Sequence, residues 1–327
     1  MMKLIYMVNN TDNAAQGLLE NWPHDQGSAN FWRASSNYIY RFSAGGDVRF
    51  LRIARQEERS VSHLQRELDL LLYLKSHGFS GVWPLKSANG NYMEKYEDQV
   101  GVYHGMVFEG APGRYLTPQE KTDEHFKVWG KTLAQLHDLS QHYIPEGRAH
   151  SDYNEYLALF TEKFKQWQEQ PAAVEAKEVA RQMNQLPATP ADFGLIHYDF
   201  QDDNIFWNQQ QQKFYVIDFD DCHYNFYAVD IFRALADVLE QRADGQRCLE
   251  LFLEGYALLR PLPHLWQHRD LFSRYEQLMH FYVIQNSLEG SDPSQDPAWL
   301  VELRPRLVAW CDSLRENFVQ RANVIGQ

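Results

Sequence analysis

The sequence contains few cysteines, and their spacing argues against both a disulfide framework and a zinc site. Cys222, Cys248 and Cys311 are far apart and odd in number. A disulfide framework usually has an even number of cysteines, and a zinc site needs ligands in paired spacings such as C-x-x-C. We therefore expect three ordinary reduced cysteines.

Long apolar runs are absent as well. The run from Leu4 to Val8 is too short for the hydrophobic region of a signal peptide. No later stretch approaches the roughly 20 apolar residues that a membrane-spanning helix needs. We expect a cytoplasmic protein that does not associate with a membrane.

The sequence also lacks an excess of basic residues. It has 31 Lys and Arg against 44 Asp and Glu, which gives a formal net charge of -13. Nucleic-acid-binding proteins usually carry basic surface that neutralises phosphates, so nucleic-acid binding is not expected. The acidity fits a cationic or neutral substrate, but ordinary solvated acidic faces explain it more simply. The sequence does not indicate an oligomeric state.

The first third of the chain has a strand-rich pattern with one long helix. Residues 38–42 and 48–54 alternate as in a β-hairpin, and apolar residues recur at helical spacing over residues 57–77. Further strands are expected at residues 82–85 and 102–108. The 327 residues, 44% of them hydrophobic, are enough for one large domain or two lobes.

A break at Gly110 to Gly113 separates this part from a mainly helical remainder. We expect this break to divide the chain into two lobes, residues 1–108 and residues 109–327. Helices are predicted over residues 118–142, 152–168, 172–185, 228–241, 245–259, 265–288 and 298–322. Strands plus one helix, followed by helices around an embedded hairpin, indicate an α+β fold.

The segment from His197 to Asp218 carries the most specific chemistry. Asp199 and Asn204 stand five residues apart in a short loop, and a predicted hairpin then leads to Asp218 at the end of an apolar β-run. Phosphoryl transfer needs hard oxygen ligands for Mg²⁺ and a carboxylate beside the attacking hydroxyl. Asp199 is the predicted base, while Asn204 and Asp218 are the predicted metal ligands. The alternative is that Asp199 and Asn204 only cap a turn.

The residues Leu195 to Ile205 and Val216 to Cys222 closely resemble the aminoglycoside phosphotransferase and choline kinase family. Weaker similarities extend over most of the chain, at Ser36 to Arg41, Trp129-Gly130 and Tyr227 to Ile231. The resemblance implies a bilobal protein-kinase-like fold, with a small antiparallel sheet and one long helix in the N-terminal lobe and a mainly helical C-terminal lobe.

The resemblance also implies roles for individual residues. Asp199 would be the catalytic aspartate, and Asn204 and Asp218 would bind Mg²⁺. Arg52 stands where kinases have a lysine that contacts the nucleotide phosphates, and Glu67 stands at its helix partner. A guanidinium suits that place because it is always charged and can bind two phosphate oxygens. An exposed strand arginine is the alternative.

Further residues are predicted to bind the nucleotide, ATP or alternatively GTP. Strand alternation puts Phe50 on the same face as Arg52, so Phe50 should contact the base. No G-x-G-x-x-G loop is present; Ser36, in the turn between the first strands, would supply phosphate contacts, unless this is a plain β-turn. By resemblance, the backbone of Glu109 and Ala111 would contact adenine.

The surroundings of the acceptor are less defined. Gln201 occupies the position two residues after Asp199, where protein kinases have a lysine, so we expect the metal and Arg52 to meet the developing charge. Asp202, Asp203, Asp220 and Asp221 could bind metal or a cationic acceptor, or they could be solvated loop acids. Aromatic residues of the last third could form a cage for a quaternary ammonium, but core packing is expected for most. This set comprises Trp266, Trp299, Trp310, Tyr224, Phe226, Tyr227, Tyr256, Tyr275, Phe281 and Tyr282.

Taken together, these patterns predict a Mg-dependent kinase that moves the γ-phosphoryl group of ATP to a hydroxyl of a small molecule. Aminoglycoside-like, choline-like and amino-alcohol acceptors all fit. A protein-serine kinase of the same fold and a catalytically silent nucleotide-binding regulator are the alternatives. The D-x-D sequence at Asp218 to Asp220 also occurs in glycosyltransferases, but those enzymes need a doubly wound sheet that this order of elements does not give.

Overall fold

The structure is a computed structural model that describes residues 1–147 and 149–325. Eleven α-helices and ten β-strands occur within these residues. Residues 148, 326 and 327, which belong to the range expected for the C-terminal lobe, lie outside the described part.

A six-stranded antiparallel sheet dominates the first 109 residues. Its strands are β1 (Asn30–Ala34), β2 (Tyr38–Ala44), β3 (Asp47–Arg55), β4 (Pro84–Leu85), β5 (Glu94–Glu97) and β6 (Val102–Glu109). The strand order is β1-β2-β3-β6-β4, and β5 also pairs with β6. In this register Arg52 of β3 lies between Ile39 of β2 and Met106 of β6, so it occupies the centre of the sheet.

Three helices pack beside this sheet. They are α1 (Leu4–Met7), α2 (Asp12–Leu19) and α3 (Val61–Ser76). The first two were not predicted, and they bury apolar residues together with Tyr38, Tyr40 and Leu51 of the sheet. Helix α3 begins later than expected because the Ser60 hydroxyl accepts a hydrogen bond from the amide of His63, which fixes the N-terminus there.

The rest of the chain is mainly helical. The remaining helices are α4 (Asp123–Gln141), α5 (Tyr153–Gln166), α6 (Gln170–Met183), α7 (Tyr227–Ala234), α8 (Ala236–Gln241), α9 (Gly245–Ala257), α10 (Arg269–Leu288) and α11 (Ala298–Ile325). The helix predicted over residues 228–241 is in fact two helices, which meet at Leu235. Helices α4 and α9 approach closely because both carry glycine at the contact; a Cβ on Gly130 would overlap the carbonyl oxygen of Phe252.

Two short antiparallel pairs interrupt the helices and carry the predicted site. Strand β7 (Phe193–Ile196) pairs with β10 (His223–Phe226), and β8 (Ile205–Asn208) pairs with β9 (Lys213–Val216). The second pair also joins the sheet-bearing part, because Val216 exchanges backbone hydrogen bonds with Ser80 and Val82. This order of elements confirms the predicted α+β fold. No helix within the described residues is long and apolar enough to cross a membrane.

Candidate active site

Asp230 fixes the backbone of the loop that carries Asp199. Its fully buried carboxylate accepts hydrogen bonds from the amides of His197 and Tyr198, both at 2.8 Å. His137 Nε2 donates to the same carboxylate at 3.0 Å. Tyr198 has a left-handed backbone conformation with φ of 69°. A non-glycine residue in this conformation carries a cost in free energy, so the surrounding structure must hold it in place. Here the hydrogen bonds to Asp230 do so.

The ring of His197 links the catalytic loop to the segment before Asp218. Its Nδ1 accepts a hydrogen bond from the amide of Asp199 at 3.2 Å, and its Nε2 donates to the carbonyl of Ile217 at 3.1 Å. One nitrogen accepts and the other donates, so the ring is neutral. Burial lowers the pKa of His197, which agrees with this assignment. His197 therefore has a structural role, since its ring joins two segments of the backbone.

The three predicted catalytic and metal-binding residues lie together. Asn204 Nδ2 donates to Asp199 Oδ2 at 2.7 Å and to the carbonyl of Asp199 at 3.0 Å. The amide of Ile217 donates to the carbonyl of Asn204 at 3.0 Å, which places Asp218 beside Asn204 at the open end of the β8–β9 hairpin. Asp218 itself has a left-handed conformation with φ of 67°. Left-handed non-glycine residues concentrate at functional sites.

Among the described residues, Asp218 forms only one long ion pair, which compensates its charge weakly. The nearest basic atom, Nη2 of Arg33, is 3.9 Å from Asp218 Oδ2. Burial and the repulsion of Asp220 raise the pKa of Asp218 well above its usual range, although Arg52 acts in the opposite direction. A carboxylate in such surroundings gains from a bound cation.

A cavity of about 440 Å³ lies between the sheet and the β8–β9 hairpin. Phe50, Arg52 and Glu67 line it from the sheet side, and Asp203 and Asp218 line it from the other side. Its apolar wall consists of Trp32, Ile39, Val48, Leu71, Val82, Phe108, Phe206 and Ile217. The cavity therefore has an apolar body and a charged end, which is the usual character of a site for a small ligand.

Arg52 and Glu67 form a buried, bidentate ion pair at the charged end. Arg52 Nη1 and Nη2 donate to the two carboxylate oxygens of Glu67 at 2.7 and 2.6 Å. Burial acts to lower the pKa of Arg52, but the attraction of Glu67 outweighs it and the pKa is raised. The Nε of Arg52 is buried and has no partner among the described residues. Three of the five N–H groups of this guanidinium therefore remain for a ligand.

The segment that connects the sheet to the helical part borders the same cavity. Glu109, Gly110 and Ala111 all line it. The amides of Glu109 and Gly110 are already engaged, with the carbonyls of Trp83 and Val48. No described residue accepts a hydrogen bond from the amide of Ala111. Ala111 consequently offers a backbone donor to a ligand in the cavity.

A family model described as the phosphotransferase enzyme family matches residues 30–266, which is well over half of the chain. The chain belongs to this family. The match confirms the resemblance seen in the sequence, since it includes the Asp199, Asn204 and Asp218 segment. The loop, the hairpin and the cavity described above are thus those of a phosphotransferase.

Individual relatives agree with membership of this family. Amicoumacin kinase from Bacillus subtilis (strain 168) is 25% identical over 247 residues, which cover 72% of this chain and 73% of that protein. A solved amicoumacin kinase in complex with AMP-PNP, Ca²⁺ and Ami superposes with a TM-score of 0.80 at 22% identity, covering 97% of this chain and 95% of the other. A microcompartment-associated aminopropanol kinase gives a TM-score of 0.71 at 20% identity, with 95% and 98% covered. The two superpositions show the protein-kinase-like fold.

Several predicted residues do not line the cavity; besides Asp199 and Asn204, these are Ser36, Asp202, Asp220 and Asp221. Ser36 is partly exposed in the turn between β1 and β2 and does not line the cavity. Asp220 joins the two parts of the molecule, because its carboxylate accepts hydrogen bonds from Asn37 Nδ2 and Arg59 Nη2 at 3.0 and 3.2 Å. Asp202 is paired with the buried Nζ of Lys121 at 3.2 Å. Of the four additional acids, only Asp203 lines the cavity.

Most aromatic residues of the last third are core residues of the phosphotransferase. Phe226, Tyr227, Tyr256, Tyr275 and Phe281 are fully buried. Trp299 and Trp310 are about half exposed, and the Trp310 ring lies 5.4 Å from the ring of His280. The described aromatics therefore do not gather into a cage, since most of them pack against one another.

The sequence analysis did not predict two residues of the site, Arg233 and Trp32. Arg233 of α7 is buried, and its Nη2 donates to Asp199 Oδ1 and Gln201 Oε1, both at 3.2 Å. Arg233 is thus a further cation beside Gln201, in addition to the metal and Arg52 that we expected to supply positive charge there. Trp32 of β1 lies edge-on to Phe50 with ring centroids 6.5 Å apart. The sequence contained one indication of the role of Arg233. This residue stands three positions after Asp230 on a predicted helix, so both side chains lie on the same helix face.

Proposed function

We propose that this protein is a Mg-dependent kinase that transfers the γ-phosphoryl group of ATP to a hydroxyl group of a small amine-bearing molecule. The observation that carries the proposal is that Asn204 bonds to Asp199 and lies next to Asp218, which lines the charged end of the cavity. Kinase catalysis consists largely of positioning and electrostatic stabilisation, and these residues supply the parts it needs. GTP is the alternative donor.

The cavity fits a purine nucleotide. Its apolar body, with Phe50 on the sheet side and Phe206 opposite, would hold the base. The free amide of Ala111 would donate to the adenine ring. The unused N–H groups of Arg52 would bind phosphate oxygens, while Glu67 keeps the guanidinium in place. Ser36 is a poorer candidate for phosphate binding because it lies off the cavity.

The donor set fits Mg²⁺. Among the described residues the Asn204 side chain hydrogen-bonds only through Nδ2, which leaves its Oδ1 as a ligand. Asp218 would be the second ligand, and its raised pKa favours a cation. The described residues contain no group of three or more His, Cys, Asp and Glu that could hold a metal. This suits Mg²⁺, which is often held by one or two protein oxygens plus substrate phosphates. When bound, the ion would neutralise charge on the phosphates.

Asp199 would act on the acceptor. Its carboxylate would accept the proton of the acceptor hydroxyl as the oxygen attacks the γ-phosphorus. The new O–P bond forms while the bond from the γ-phosphorus to the β–γ bridging oxygen breaks, and ADP leaves with that electron pair. The hydrogen bonds from Asn204 and Arg233 would keep the carboxylate oriented for this step.

The relatives narrow the class of acceptor. They are named as kinases of amicoumacin and of aminopropanol, both small molecules. The net charge of -13 favours a cationic acceptor. We therefore place an amino alcohol or an amine-bearing antibiotic before a protein substrate. We also retain the division into a nucleotide-binding lobe of residues 1–108 and a catalytic lobe of residues 109–327 as part of the proposal.

An acceptor screen tests the function. ADP release would be measured with Mg·ATP and a panel of aminoglycosides, choline, ethanolamine, aminopropanol, homoserine and a serine-containing protein. We expect one class of small amines to stimulate ADP release and to yield a phosphomonoester by ³¹P NMR. Binding of Mg·ATP without turnover on any acceptor would point to a silent regulator, and phosphorylation of the protein alone would point to a protein kinase. Either result would overturn the proposed acceptor class.

A further inference from the structure

Arg233 is a buried cation that contacts the loop carrying Asp199, called here the catalytic loop, and helix α10. The residue is 7% exposed, and its guanidinium lies over the ring of Tyr198 at 4.2 Å from the centroid. Its Nε donates to the carbonyl of Tyr198, and its Nη2 donates to Asp199 and Gln201. One side chain thus contacts three residues of the loop, Tyr198, Asp199 and Gln201.

These contacts determine the orientation of the Gln201 amide. A guanidinium can only donate hydrogen bonds, so the atom of Gln201 that faces Arg233 must be the oxygen Oε1. The Nε2 group then points away from Arg233. Among the described residues Nε2 has no acceptor. Gln201 therefore has a free N–H donor beside the Asp199 carboxylate.

The other side of Arg233 is held by α10. Arg233 Nη1 lies 2.9 Å from His280 Nε2, which must accept because the guanidinium cannot. Burial lowers the pKa of His280 to about 4, so its ring is neutral and can accept this bond. The guanidinium is accordingly clamped between α10 and the loop, and it cannot move without breaking contacts on both sides.

We propose that Arg233 is the positioning residue of the acceptor side and that its charge replaces the lysine that protein kinases carry two residues after the catalytic aspartate. It orients the Asp199 carboxylate directly and the Gln201 amide through Oε1. This inference rests on the proposed phosphoryl transfer. A guanidinium bonded to a carboxylate fixes its direction more firmly than an uncharged donor does, because charge-assisted hydrogen bonds are about twice as strong.

The test compares single and double variants by their steady-state kinetics. Arg233→Met should lower kcat by about 10²-fold, while KM for Mg·ATP stays within about threefold, because the nucleotide cavity is not touched. Gln201→Lys in the Arg233→Met background returns a cation to the loop and should recover at least about tenfold in kcat. Arg233→Lys keeps the charge on α7, so its kcat should fall less than that of Arg233→Met. If the methionine variant does not fold, the kcat of Arg233→Lys is compared with that of wild type instead.

Arg260 provides a matched control. It is also buried, and its guanidinium lies 4.7 Å from the ring centroid of Tyr227, but its hydrogen bonds go to Gln141 and Pro190, away from the catalytic loop. Arg260→Met should lower the melting temperature and leave kcat within about threefold of wild type. An equal loss of kcat in both methionine variants would show that Arg233 is merely structural.

The outcomes separate this inference from the proposed function. A wild-type enzyme that turns over, an inactive Asp199→Asn variant and an Arg233→Met variant with unchanged kcat would overturn the role of Arg233 alone. Failure of Gln201→Lys to recover any activity in the Arg233→Met background would also contradict the replacement of the lysine charge. A wild-type protein without turnover on any acceptor would overturn the proposed function, and this inference with it.

Discussion

The sheet-bearing part and the helical part of the molecule each carry a buried arginine beside a carboxylate, but the two arginines are held in different ways. Arg52, on the sheet side, is bound to both oxygens of one residue, Glu67, at 2.7 and 2.6 Å. Arg233, on the helical side, divides its hydrogen bonds among Tyr198, Asp199, Gln201 and His280. We call Arg52 and Glu67 the closed pair, which leaves N–H donors of Arg52 unused. We call Arg233 with its four partners the junction, because it connects α7, α10 and the catalytic loop.

This difference separates two tasks. A bidentate pair holds a guanidinium rigidly and leaves its remaining N–H groups for phosphate oxygens, which suits binding. A guanidinium with several partners makes their positions depend on one another, which suits alignment of a catalytic loop. We therefore expect damage on the sheet side to affect nucleotide affinity, and damage around Arg233 to affect turnover.

The largest effect on stability is expected when the closed pair is broken. Glu67→Gln leaves the buried charge of Arg52 without a counter-ion, which should reduce the free energy of unfolding by about 3–5 kcal/mol. Because Arg52 also loses its anchor, the affinity for Mg·ATP should fall. Urea unfolding and nucleotide titration measure the two effects.

A second buried pair supplies the control for this variant. Glu175 of the helical part is bound to Arg274 through two hydrogen bonds of 2.7 and 3.0 Å and also forms an ion pair with Arg321 at 3.0 Å, and it does not line the cavity. Glu175→Gln should destabilise the protein similarly but leave nucleotide affinity unchanged. Equal losses of affinity in both variants would show that stability alone controls binding.

Acid should weaken the junction around Arg233. The folded-state pKa of His280 is about 4, below the value of about 6.5 for an unfolded histidine. The unfolded chain therefore binds the proton first, and this group costs stability as the pH falls from about 6.5 toward 4. Between pH 7.5 and 5 the loss is about 2 kcal/mol.

His280→Gln should remove that loss, because the amide oxygen of glutamine accepts from Arg233 at any pH. The difference in the free energy of unfolding between wild type and variant at pH 7.5 and 5 measures it. Burial raises the pKa of the neighbouring Glu276 to about 7, which acts in the opposite direction but is present in both proteins. Parallel pH profiles for the two proteins would contradict the neutral acceptor role of His280.

The smallest effect is expected at the apolar wall beside Arg52. Phe50→Ala should weaken nucleotide binding by about tenfold, since the ring contributes apolar and stacking contacts to the base. Phe31→Ala is the control, because Phe31 is exposed on β1 and does not line the cavity. Isothermal titration with Mg·ATP distinguishes them. An unchanged affinity in Phe50→Ala would remove Phe50 from the nucleotide site.

Local sequence patterns were sufficient for the loop and for the face of β3 that carries Arg52, whereas the pairing of Arg52 with Glu67 came from the resemblance to the family. Asp199, Asn204 and Asp218 lie within one loop and hairpin, so their spacing alone brings them together. Strand alternation put Phe50 and Arg52 on one face, and both line the cavity. The confirmed bilobal fold follows from the same features, since a sheet with one long helix precedes a helical part.

The junction around Arg233 could not be predicted in this way. Its partner His280 is 47 residues further along the chain, and only the packing of α7 against α10 brings the two side chains together. The helices α1 and α2 were missed because each is short, with little periodicity to detect. Ser36 was assigned to phosphate binding by resemblance to the family. It lies in the turn between β1 and β2 and does not line the cavity.

The most direct test of the central claim is to measure phosphoryl transfer and nucleotide binding in the Asp199→Asn variant. The asparagine keeps the shape of the side chain but cannot take the proton of the acceptor hydroxyl. Transfer from Mg·ATP to the best acceptor should fall by about 10³-fold, with the dissociation constant of Mg·ATP within about threefold of wild type. Transfer at the wild-type rate would contradict the role of Asp199 and the site built around it.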